Sequence, residues 1–379
     1  MKIGITCYPT YGGSGIVATE LGMELAARGY EVHFISYANP IRLNTESPLI
    51  HYHEVEVSTY PLFQYPPYCL ALASRMAEVA ETACLDLLHV HYAIPHAISA
   101  LLAKQILATQ GTRCRRVPFV TTLHGTDITL VGADRSYLPI TRFSIDQSDG
   151  VTAVSEYLRE RTVSVFKVQR EIRVIKNFVN CDRYQHNADP EARALHARPE
   201  EKLLVHLSNF RPVKRVLNVV RIFAKVRREL PAKLLMIGDG PDRGPAEHLA
   251  IELGVANDVI FLGKQSRIPE LLAIADLMLL PSELEAFGLA ALEAMACGVP
   301  TVATSAGGIP ELITDGVDGL LAPVGDVDAM AAHALSLLTD ASRYSKFSAA
   351  SRRTAETRFC TTLIIPQYEE YYRQVLDQA

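Results

Sequence analysis

Two glutamates stand at a spacing that could do chemistry in the segment ELEAFGLAALEAMACGVPTVAT, where Glu285 and Glu293 lie eight residues apart around an expected helix start. The spacing suits two successive contacts on one elongated ligand better than a general acid and base that face one bond. The amides of Phe287, Gly288 and Leu289 would then face an anion at the start of the helix. The simpler alternative is a capped amphipathic helix with acids near its positive end.

A basic turn opens the second half of the chain, in the segment SNFRPVKR (208–215). Arg211, Lys214 and Arg215 crowd the end of a predicted strand, at the point where a helix begins. Cations at a helix N-terminus oppose the helix dipole unless an anion sits among them. The turn therefore predicts a site for a di-anionic ligand, and the alternative is a solvated basic turn.

A glycine-rich loop, Gly12-Gly13-Ser14-Gly15, follows the first predicted strand. Bare amides at a helix N-terminus favour a phosphate, although a tight turn would use the same residues. The spacing is not G-x-G-x-x-G, and the second strand ends HFISYAN without the acid that binds a ribose, so a nicotinamide oxidoreductase is disfavoured. No G-K-[ST] follows the glycines, so the loop is not a P-loop.

Hydrogen-bonding side chains follow two further strands of the first half. Tyr92 and His96 come after one strand, and the segment LHGTD, which contains His124 and Asp127, comes after the next. Ligands of open α/β sheets bind beyond the carboxyl ends of the strands, so these residues predict a site, although a lone histidine is usually structural. The sequence shows no Ser-His-Asp arrangement and no G-x-S-x-G elbow, which gives hydrolase chemistry little support.

Metal ligands are missing from these motifs. The Asp-x-Asp pair, Asp326 and Asp328, is better explained by an N-cap of the following helix. We therefore expect Arg211, Lys214 and helix amides, and not magnesium, to neutralise a diphosphate leaving group. No metal and no other cofactor is predicted.

The elements that must position these residues alternate between strand and helix in both halves of the chain, which predicts an α/β fold with two doubly wound parallel sheets. The polar segment 181–200 is interpreted as a linker. In the first half, strands are predicted at 2–6, 31–36, 85–93, 117–125, 149–155 and 171–180, and helices at about 16–28 and 95–108. A second alternation runs from 202 to 325, and the last of the helices that follow is predicted at about 362–376.

The composition excludes several classes of protein. The chain has 379 residues, 49% of them hydrophobic, and its net charge of −5 gives no general attraction for nucleic acid or acidic lipid. The seven cysteines include no C-x-x-C pair, which is typical of a reducing cytosol. The N-terminus does not resemble a signal peptide, and no apolar stretch is long enough to span a membrane. We therefore expect a cytoplasmic protein without stable membrane insertion and disfavour a periplasmic binding protein, while a homo-oligomer stays open.

Together these residues resemble the GT-B glycosyltransferases of the large retaining family 4, along essentially the whole chain. The E-x7-E pair with Phe-Gly-Leu between its members is the most specific element, and GGSG, LHG and the basic turn support it. The resemblance implies two Rossmann-like, doubly wound domains that face a cleft, an acceptor domain at 1–180 and a nucleotide-sugar domain at 195–360. It also implies that the C-terminal helix, 362–379, crosses back to the first domain, and that the transfer retains the α configuration.

The resemblance also implies roles for single residues. In the family, the first glutamate and the amides after it hold the donor sugar, the second glutamate holds the ribose hydroxyls, and the basic turn grips the diphosphate. The donor-binding residues that this implies are Gly12, Gly13, Ser14, Asn209, Arg211, Lys214, Glu285, Phe287, Gly288, Leu289 and Glu293. The catalytic roles fall to His124, Glu285, Arg211 and Lys214.

A narrower resemblance concerns the substrates. Asn209 stands where the family usually has an arginine, and Arg211 follows two residues on. SNFRPVKR and TTLHGTDITLVG are similar to the enzymes that join N-acetylglucosamine to L-malate in bacillithiol biosynthesis, which implies UDP-N-acetylglucosamine as donor and L-malate as acceptor. The two malate carboxylates need cations and hydroxyl donors, for which Tyr92, Thr122 and Arg142 are the candidates.

Two other functions stay open at this point. One is a family-4 transfer to a different acceptor, such as an inositol phosphate or a lipid. A lipid acceptor would want a basic amphipathic surface helix, and the predicted helices of the first half show no such concentration of Lys and Arg. The other is a protein that binds a UDP-sugar without turnover, which would release no UDP with any acceptor.

Overall fold

The computed structural model describes residues 1–58, 61–62, 64–110, 116–129, 131–186 and 189–379. The chain divides into two compact units. The N-terminal unit consists of Met1–Asn177 and Ile364–Ala379, and the C-terminal unit consists of Phe178–Leu363. Each unit is built around one parallel sheet, which confirms the predicted α/β class.

Both sheets are doubly wound, because the strand order runs outward from the centre in two directions. In the N-terminal unit the described strands are β1 (Lys2–Thr6), β2 (Glu31–Ser36), β3 (Ile50–Glu54), β4 (Leu87–His91), β5 (Phe119–Leu123), β6 (Gly150–Ala153) and β7 (Arg173–Val174). Their order across the sheet is β3-β2-β1-β4-β5-β6-β7. In the C-terminal unit they are β8 (Lys202–Leu207), β9 (Ala232–Ile237), β10 (Val259–Gly263), β11 (Leu277–Leu280), β12 (Thr301–Thr304) and β13 (Gly319–Ala322), in the order β10-β9-β8-β11-β12-β13.

Helices connect the strands in both units. Those of the first part of the chain are α1 (Gly13–Ala27), α2 (Tyr68–Ala83), α3 (Ile98–Gln110), α4 (Thr126–Thr129), α5 (Leu138–Gln147) and α6 (Glu156–Phe166). Those that follow are α7 (Pro190–Ala194), α8 (Val216–Glu229), α9 (Arg243–Glu252), α10 (Ile268–Ala273), α11 (Leu289–Ala296), α12 (Ile309–Leu312), α13 (Val327–Leu338), α14 (Ala341–Arg358) and α15 (Thr361–Gln378). Short 3₁₀ turns lie at Pro212–Lys214 and Ala256–Asp258.

Local chemistry explains several helix ends. The Ser155 hydroxyl accepts a hydrogen bond from the Leu158 amide at 3.1 Å, and the Asp326 carboxylate accepts one from the Ala329 amide at 2.9 Å. Both side chains satisfy amides that have no partner inside their helix, so both predicted N-caps are confirmed. Gly29, with φ +89°, follows the end of α1 as the sequence predicts.

Several elements differ from the sequence prediction. Strand β3 and helix α2 were not predicted, and the strand expected at 171–180 is only the two-residue β7. Helix α3 begins at Ile98 instead of 95, because an irregular turn with a cis Ile94–Pro95 peptide bond comes first. In the C-terminal unit, the segment predicted as a linker carries α7, and Arg193 of this helix lies 2.7 Å from the Asp276 carboxylate of the same unit.

The last helix, α15, begins in the C-terminal unit and from Ile364 onward belongs to the N-terminal unit. Its Tyr368 and Tyr372 are fully buried there. The Tyr372 hydroxyl lies 2.7 Å from His89 Nδ1, and the Tyr371 hydroxyl accepts a hydrogen bond from the Val151 amide at 2.8 Å.

None of the helices in the described part of the chain combines the length and the apolar character that a membrane-spanning segment requires. All six cysteines that the structure describes are free thiols, and Cys114 lies outside the described residues.

Candidate functional site

The loop before α11 is held in a conformation that leaves a helix start open to a ligand. Gly288 caps the helix with φ +99°, a value that favours glycine. The Phe287 side chain is buried and packs edge-on against Phe359, with ring centroids 5.5 Å apart, so it anchors the loop. Because α11 starts at Leu289, the amides of its first turn have no partner within the helix. These amides and the helix dipole favour an anion.

Glu285 and Lys214 are brought together by the fold, although they are far apart in the sequence. Lys214 Nζ lies 2.6 Å from Glu285 Oε1, and the Ser282 hydroxyl donates to the same oxygen at 2.8 Å. The two residues follow β8 and β11, which are neighbours in the sheet, so the carboxyl ends of those strands meet. Sequence reasoning assigned Lys214 and Glu285 to one ligand but did not find Ser282.

Two adjacent glycines, Gly307 and Gly308, pack closely against the backbone of the Glu285 loop. A Cβ at Gly307 would lie 2.0 Å from the Glu285 carbonyl oxygen, and a Cβ at Gly308 would lie 2.2 Å from the Ala286 carbonyl oxygen. The Gly308 amide also donates to the Glu285 carbonyl at 2.8 Å. The turn after β12 therefore sets the position of the loop. The sequence analysis missed these glycines, whose only signal is an adjacent Gly-Gly after a strand.

Glu293 lies inside α11 and is only 4% exposed. The Tyr184 hydroxyl donates a hydrogen bond to Glu293 Oε1 at 2.5 Å. A buried carboxylate requires hydrogen-bond donors, and Tyr184 supplies one from the segment that the sequence analysis took for a linker. Burial and, secondarily, the charge of Glu293 raise the pKa of the neighbouring Cys297 thiol to about 12, so this thiol stays protonated.

The basic turn separates its three cations. Arg215 pairs with Glu283 at 2.7 Å, Lys214 pairs with Glu285, and Arg211 is exposed at the start of the 3₁₀ turn. The charge of Arg215 is therefore already paired with a surface carboxylate, whereas the other two cations are the candidates for binding an anion. The Glu283 amide donates to the Val213 carbonyl at 2.8 Å, which joins the turn to the Glu285 loop.

Asn209 stands where the family that the sequence resembles usually has an arginine. Its Oδ1 is buried and accepts no hydrogen bond from the residues that the structure describes. A Cβ at Gly240 would lie 2.2 Å from the Asn209 carbonyl oxygen, and one at Gly238 would lie 1.8 Å from the Ser208 carbonyl oxygen. The Gly-Asp-Gly turn after β9 thus fixes the backbone of the basic turn.

In the N-terminal unit, the glycine-rich loop lies directly at a helix start. Helix α1 begins at Gly13, and Gly12 caps it without a side chain, so its first amides are open to an anion. A Cβ at Gly15 would lie 2.4 Å from the Tyr8 carbonyl oxygen. The Ser14 hydroxyl donates to the Tyr92 hydroxyl oxygen at 3.0 Å, so the structure brings these two predicted residues together.

Histidines form a connected group beside Tyr92. His124 Nε2 lies 2.8 Å from His91 Nδ1, and the two rings are stacked with centroids 5.0 Å apart. Burial lowers the pKa of His124 to about 3 and that of His96 to about 4, so both imidazoles are neutral near pH 7. His124 can therefore hydrogen-bond to a substrate but carries no charge for it.

Asp127 anchors the turn that contains His124. Its carboxylate accepts hydrogen bonds from the Ala93 amide at 3.1 Å and from the Gly125 amide at 3.0 Å. Burial raises the pKa of Asp127 to about 6, and the backbone hydrogen bonds oppose that effect. The irregular turn at Ala93–Ala97 and the LHGTD segment are thus tied to each other through one buried carboxylate.

The structure corrects the acceptor assignment of Thr122. This residue is fully buried, and its hydroxyl lies 2.7 Å from His89 Nε2 and 2.6 Å from the Thr152 hydroxyl. All five residues of β5 are buried, and the Thr122 hydroxyl is used by these internal contacts, so it is not available to an acceptor. Arg142 is 46% exposed on α5 and pairs with Asp146 at 3.7 Å, so its contact with an acceptor stays a prediction.

Two family models match the chain, one along most of its first half and the other along most of its second half. Residues 11–183 match the family described as Glycosyltransferase Family 4, and residues 188–354 match Glycosyl transferases group 1. Among solved structures, a sucrose-phosphate synthase from Thermosynechococcus elongatus has a TM-score of 0.80 at 22% identity, with 100% of both chains covered. HepE from Anabaena, solved with UDP-glucose, has a TM-score of 0.78 at 21% identity, with 99% of this chain and 100% of that chain covered.

The likeness to these solved structures confirms the predicted GT-B fold of two Rossmann-like units. Among curated proteins, the N-acetyl-alpha-D-glucosaminyl L-malate synthase of Bacillus anthracis is 50% identical over 377 residues, which cover 99% of this chain and 97% of that protein. At this identity and coverage, the chain is a glycosyltransferase and belongs to the family that contains the Bacillus anthracis enzyme.

Proposed function

We propose that this enzyme transfers N-acetylglucosamine from UDP-N-acetylglucosamine to the hydroxyl of L-malate, the first step of bacillithiol biosynthesis. The single observation that carries this choice of substrates is the 50% identity, over 99% of the chain, to a protein named for its N-acetylglucosaminyl L-malate product. We place the reaction in the cytoplasm, in keeping with the free thiols of the described cysteines.

The donor nucleotide is assigned to the C-terminal unit. Glu293, a buried carboxylate in α11, would accept hydrogen bonds from the two ribose hydroxyls of UDP. Lys214, Arg211 and the first-turn amides of α11 would hold the diphosphate, because the two side chains offer positive charge and the helix start offers open N–H groups. This arrangement supplies the neutralising charge from the protein itself, so we propose that transfer needs no metal ion.

The Lys214–Glu285 pair would orient the reacting end of the donor. Glu285 holds the Lys214 ammonium group in place at 2.6 Å. A lysine that is already positioned loses little side-chain entropy when the diphosphate arrives. The second oxygen of Glu285 would accept a hydrogen bond from a sugar hydroxyl, which positions the sugar relative to the diphosphate.

In the proposed reaction, the bond between the sugar's anomeric carbon and the β-phosphate oxygen breaks, and a bond to the malate hydroxyl oxygen forms on the same face. The departing phosphate oxygen takes the proton of the malate hydroxyl, so that UDP leaves without a separate base. Positive charge from Lys214 and Arg211 stabilises the negative charge that develops on that oxygen.

Malate is assigned to the N-terminal unit. The Tyr92 hydroxyl, held by Ser14, and the neutral His124 offer hydrogen bonds to a polar acceptor. Because His124 is uncharged, the charge that balances the malate carboxylates has to come from other groups, such as Arg142 or the open amides at the start of α1.

The test is UDP release from UDP-N-acetylglucosamine with and without L-malate, with mass spectrometry of the product. We expect malate-dependent release, a hexosamine–malate adduct and no change of rate with a chelator. Tight binding of the UDP-sugar with no malate-dependent release would discard malate and lead to other acceptors, including inositol phosphate. A rate lost to the chelator and restored by Mg²⁺ would overturn the metal-free mechanism.

The variant Lys214→Met tests whether Lys214 stabilises the charge on the leaving phosphate and does not only bind the donor. We expect kcat to fall by about 100- to 1,000-fold, as for the removal of one oxyanion-stabilising group. Arg215→Met is the matched control, because Arg215 lies in the same turn but pairs with the exposed Glu283. Equal losses in both variants would mean that the turn acts only through its structure.

A further inference from the structure

A group of histidines lies at the edge of the N-terminal sheet and has no part in the proposed reaction. Residues two apart on a strand share a face, so Glu31 and His33 project from the same side of β2. The parallel register of β2 and β3 pairs His33 with His51, and the ring centroids of these two residues are 4.6 Å apart. The backbone of two adjacent strands therefore brings three possible metal ligands together.

The distances fit the coordination sphere of a small metal ion. His33 Nε2 lies 3.0 Å and His51 Nε2 lies 3.7 Å from Glu31 Oε1, and the potential ligand atoms of the three residues all lie within 4.8 Å of one another. Ligand atoms of a tetrahedral zinc site are roughly 3.3 Å apart, because each lies roughly 2.0–2.1 Å from the ion. The two separations from Glu31 Oε1, 3.0 Å and 3.7 Å, lie on either side of this value, so the three residues are spaced to surround one ion.

His53 supplies the outer partner that metal-binding histidines usually have. Its Nε2 lies 2.9 Å from His33 Nδ1, on the side of the His33 ring away from Glu31. With the proton on His33 Nδ1, donated to His53, the His33 Nε2 lone pair faces the space beside Glu31. Such a hydrogen bond fixes the tautomer and the ring orientation that a metal requires.

Lys2 is the competitor for this position. Its ammonium group lies 3.1 Å from Glu31, and its side chain is 41% exposed. A half-exposed lysine can turn into solvent when an ion takes its place, because an exposed ion pair is weakly held. His33 itself is almost completely buried, so the strands and not a mobile loop position the central ligand.

We propose that Glu31, His33 and His51 form a binding site for a divalent transition-metal ion such as Zn²⁺. Two imidazoles and a carboxylate are a ligand set that suits Zn²⁺, with a water molecule in the fourth position. The ion would connect β2 to the edge strand β3 and would stabilise the N-terminal unit. The site is separate from the residues assigned to transfer, which is expected to proceed without metal.

The experiment uses the full-length protein, without a histidine tag, after treatment with a chelator. Zn²⁺ binding is measured by calorimetry, and Co²⁺ is used as a coloured probe of a tetrahedral site. We expect one ion per chain and a higher melting temperature with Zn²⁺. His51→Gln and Glu31→Gln should abolish this binding, and His53→Gln should weaken it about tenfold.

Two further variants make the result specific. His248→Gln is the matched control, because His248 and Glu252 form an exposed pair on α9 with a 3.2 Å contact and no third ligand in the described residues. Lys2→Met should strengthen binding, since it removes the competing ammonium group. Circular dichroism checks that His51→Gln folds, as expected for a half-exposed position on an edge strand.

The proposal is overturned if the wild-type protein binds no Zn²⁺ at stoichiometric concentrations. It is also overturned if binding is equally strong in His51→Gln and Glu31→Gln, because the ion would then lie elsewhere. Neither outcome depends on malate-dependent UDP release. The metal-site proposal is therefore tested independently of the proposed function.

Discussion

Glu293 shows how a single buried residue carries the proposed donor specificity. Its carboxylate is almost inaccessible and accepts from Tyr184, so a neutral amide in its place would present a donor toward Tyr184 and the ribose. We expect Glu293→Gln to weaken UDP binding at least tenfold, about 1.4 kcal/mol, by calorimetry. Glu283→Gln is the control, because that glutamate is exposed and pairs with Arg215. Unchanged UDP affinity in Glu293→Gln would remove the ribose assignment.

Arg142 is proposed to bind a malate carboxylate, and steady-state kinetics can test this role. It is exposed and makes a long ion pair with Asp146, which is the environment of an ordinary surface arginine. If it binds a malate carboxylate, Arg142→Ala raises the malate KM about tenfold or more and leaves the donor KM unchanged. Arg159→Ala, on α6, removes a comparable exposed arginine that pairs with Glu156. Wild-type kinetics for Arg142→Ala would exclude this residue from the site.

Asp127 predicts a dependence of stability on pH. Its pKa is about 6 in the folded protein, above the ordinary value of 3.8, because burial disfavours the charged form. The folded state therefore binds the proton more tightly, so this group's contribution to stability is complete below pH 3.8 and is lost as the pH rises through 6.

Denaturant unfolding at several pH values tests this sign. We expect the free energy of unfolding of the wild type, relative to Asp127→Asn, to increase by up to about 3 kcal/mol on acidification from pH 7 to pH 4. The difference between the two proteins cancels the other titrating groups. A difference that stays constant with pH would mean that Asp127 has an ordinary pKa in the folded state.

At the scale of elements, local signals predicted the helix ends but not the contacts between segments. The N-caps Ser155 and Asp326 depend on residues three positions apart, so the sequence contains all the information. The Lys214–Glu285 pair depends on β8 and β11 being neighbours, which the residues around either position do not specify. Strand β3, with the sequence IHYHE, lacks the β-branched alternation of a typical strand, and this explains why it was not predicted.

The segment 181–200 was interpreted as a linker for the same reason, because its contacts are with residues far away in the sequence. A polar segment without periodicity looks like a loop, yet Tyr184 reaches Glu293, which is 109 positions further on, and Arg193 reaches Asp276. Single polar contacts of this kind leave no periodic trace in the sequence. The candidate site was therefore predicted in its motif residues, and its supporting residues Tyr184, Ser282 and Gly307 were found only in the structure.

The turn after β12 gives a prediction at the element scale. Gly307 has φ +60°, and a Cβ there would lie 2.0 Å from the Glu285 carbonyl oxygen, so Gly307→Ala must push the Glu285 loop away. We expect a loss of kcat/KM of at least tenfold together with reduced stability, measured by steady-state kinetics and thermal unfolding. Gly316→Ala isolates the backbone strain, because Gly316 has φ +76° and no atom near its Cβ position. Similar activity in both variants would show that the clash is absorbed without moving Glu285.

At the scale of the whole molecule, the chain leaves the N-terminal unit near residue 177 and completes it only with residues 364–379. Tyr368 and Tyr372 are fully buried in that unit, and the Tyr372 hydroxyl meets the buried His89. A fragment of residues 1–177 would therefore expose the surface that these two side chains cover. The C-terminal unit, in contrast, is one continuous stretch of chain.

We expect the fragment 178–363 to unfold cooperatively by itself, whereas 1–177 lacks a cooperative transition until a peptide of residues 364–379 is added. Loss of two buried tyrosines costs several kcal/mol, at about 3–5 kcal/mol for a large aromatic side chain, which is comparable to the whole stability of a domain. Thermal unfolding followed by circular dichroism measures both fragments. The same peptide with Tyr368 and Tyr372 replaced by alanine is the control, because it keeps the length but not the buried rings. Cooperative unfolding of 1–177 alone, at the melting temperature of the complex with the peptide, would show that the last helix is not part of the N-terminal unit's core.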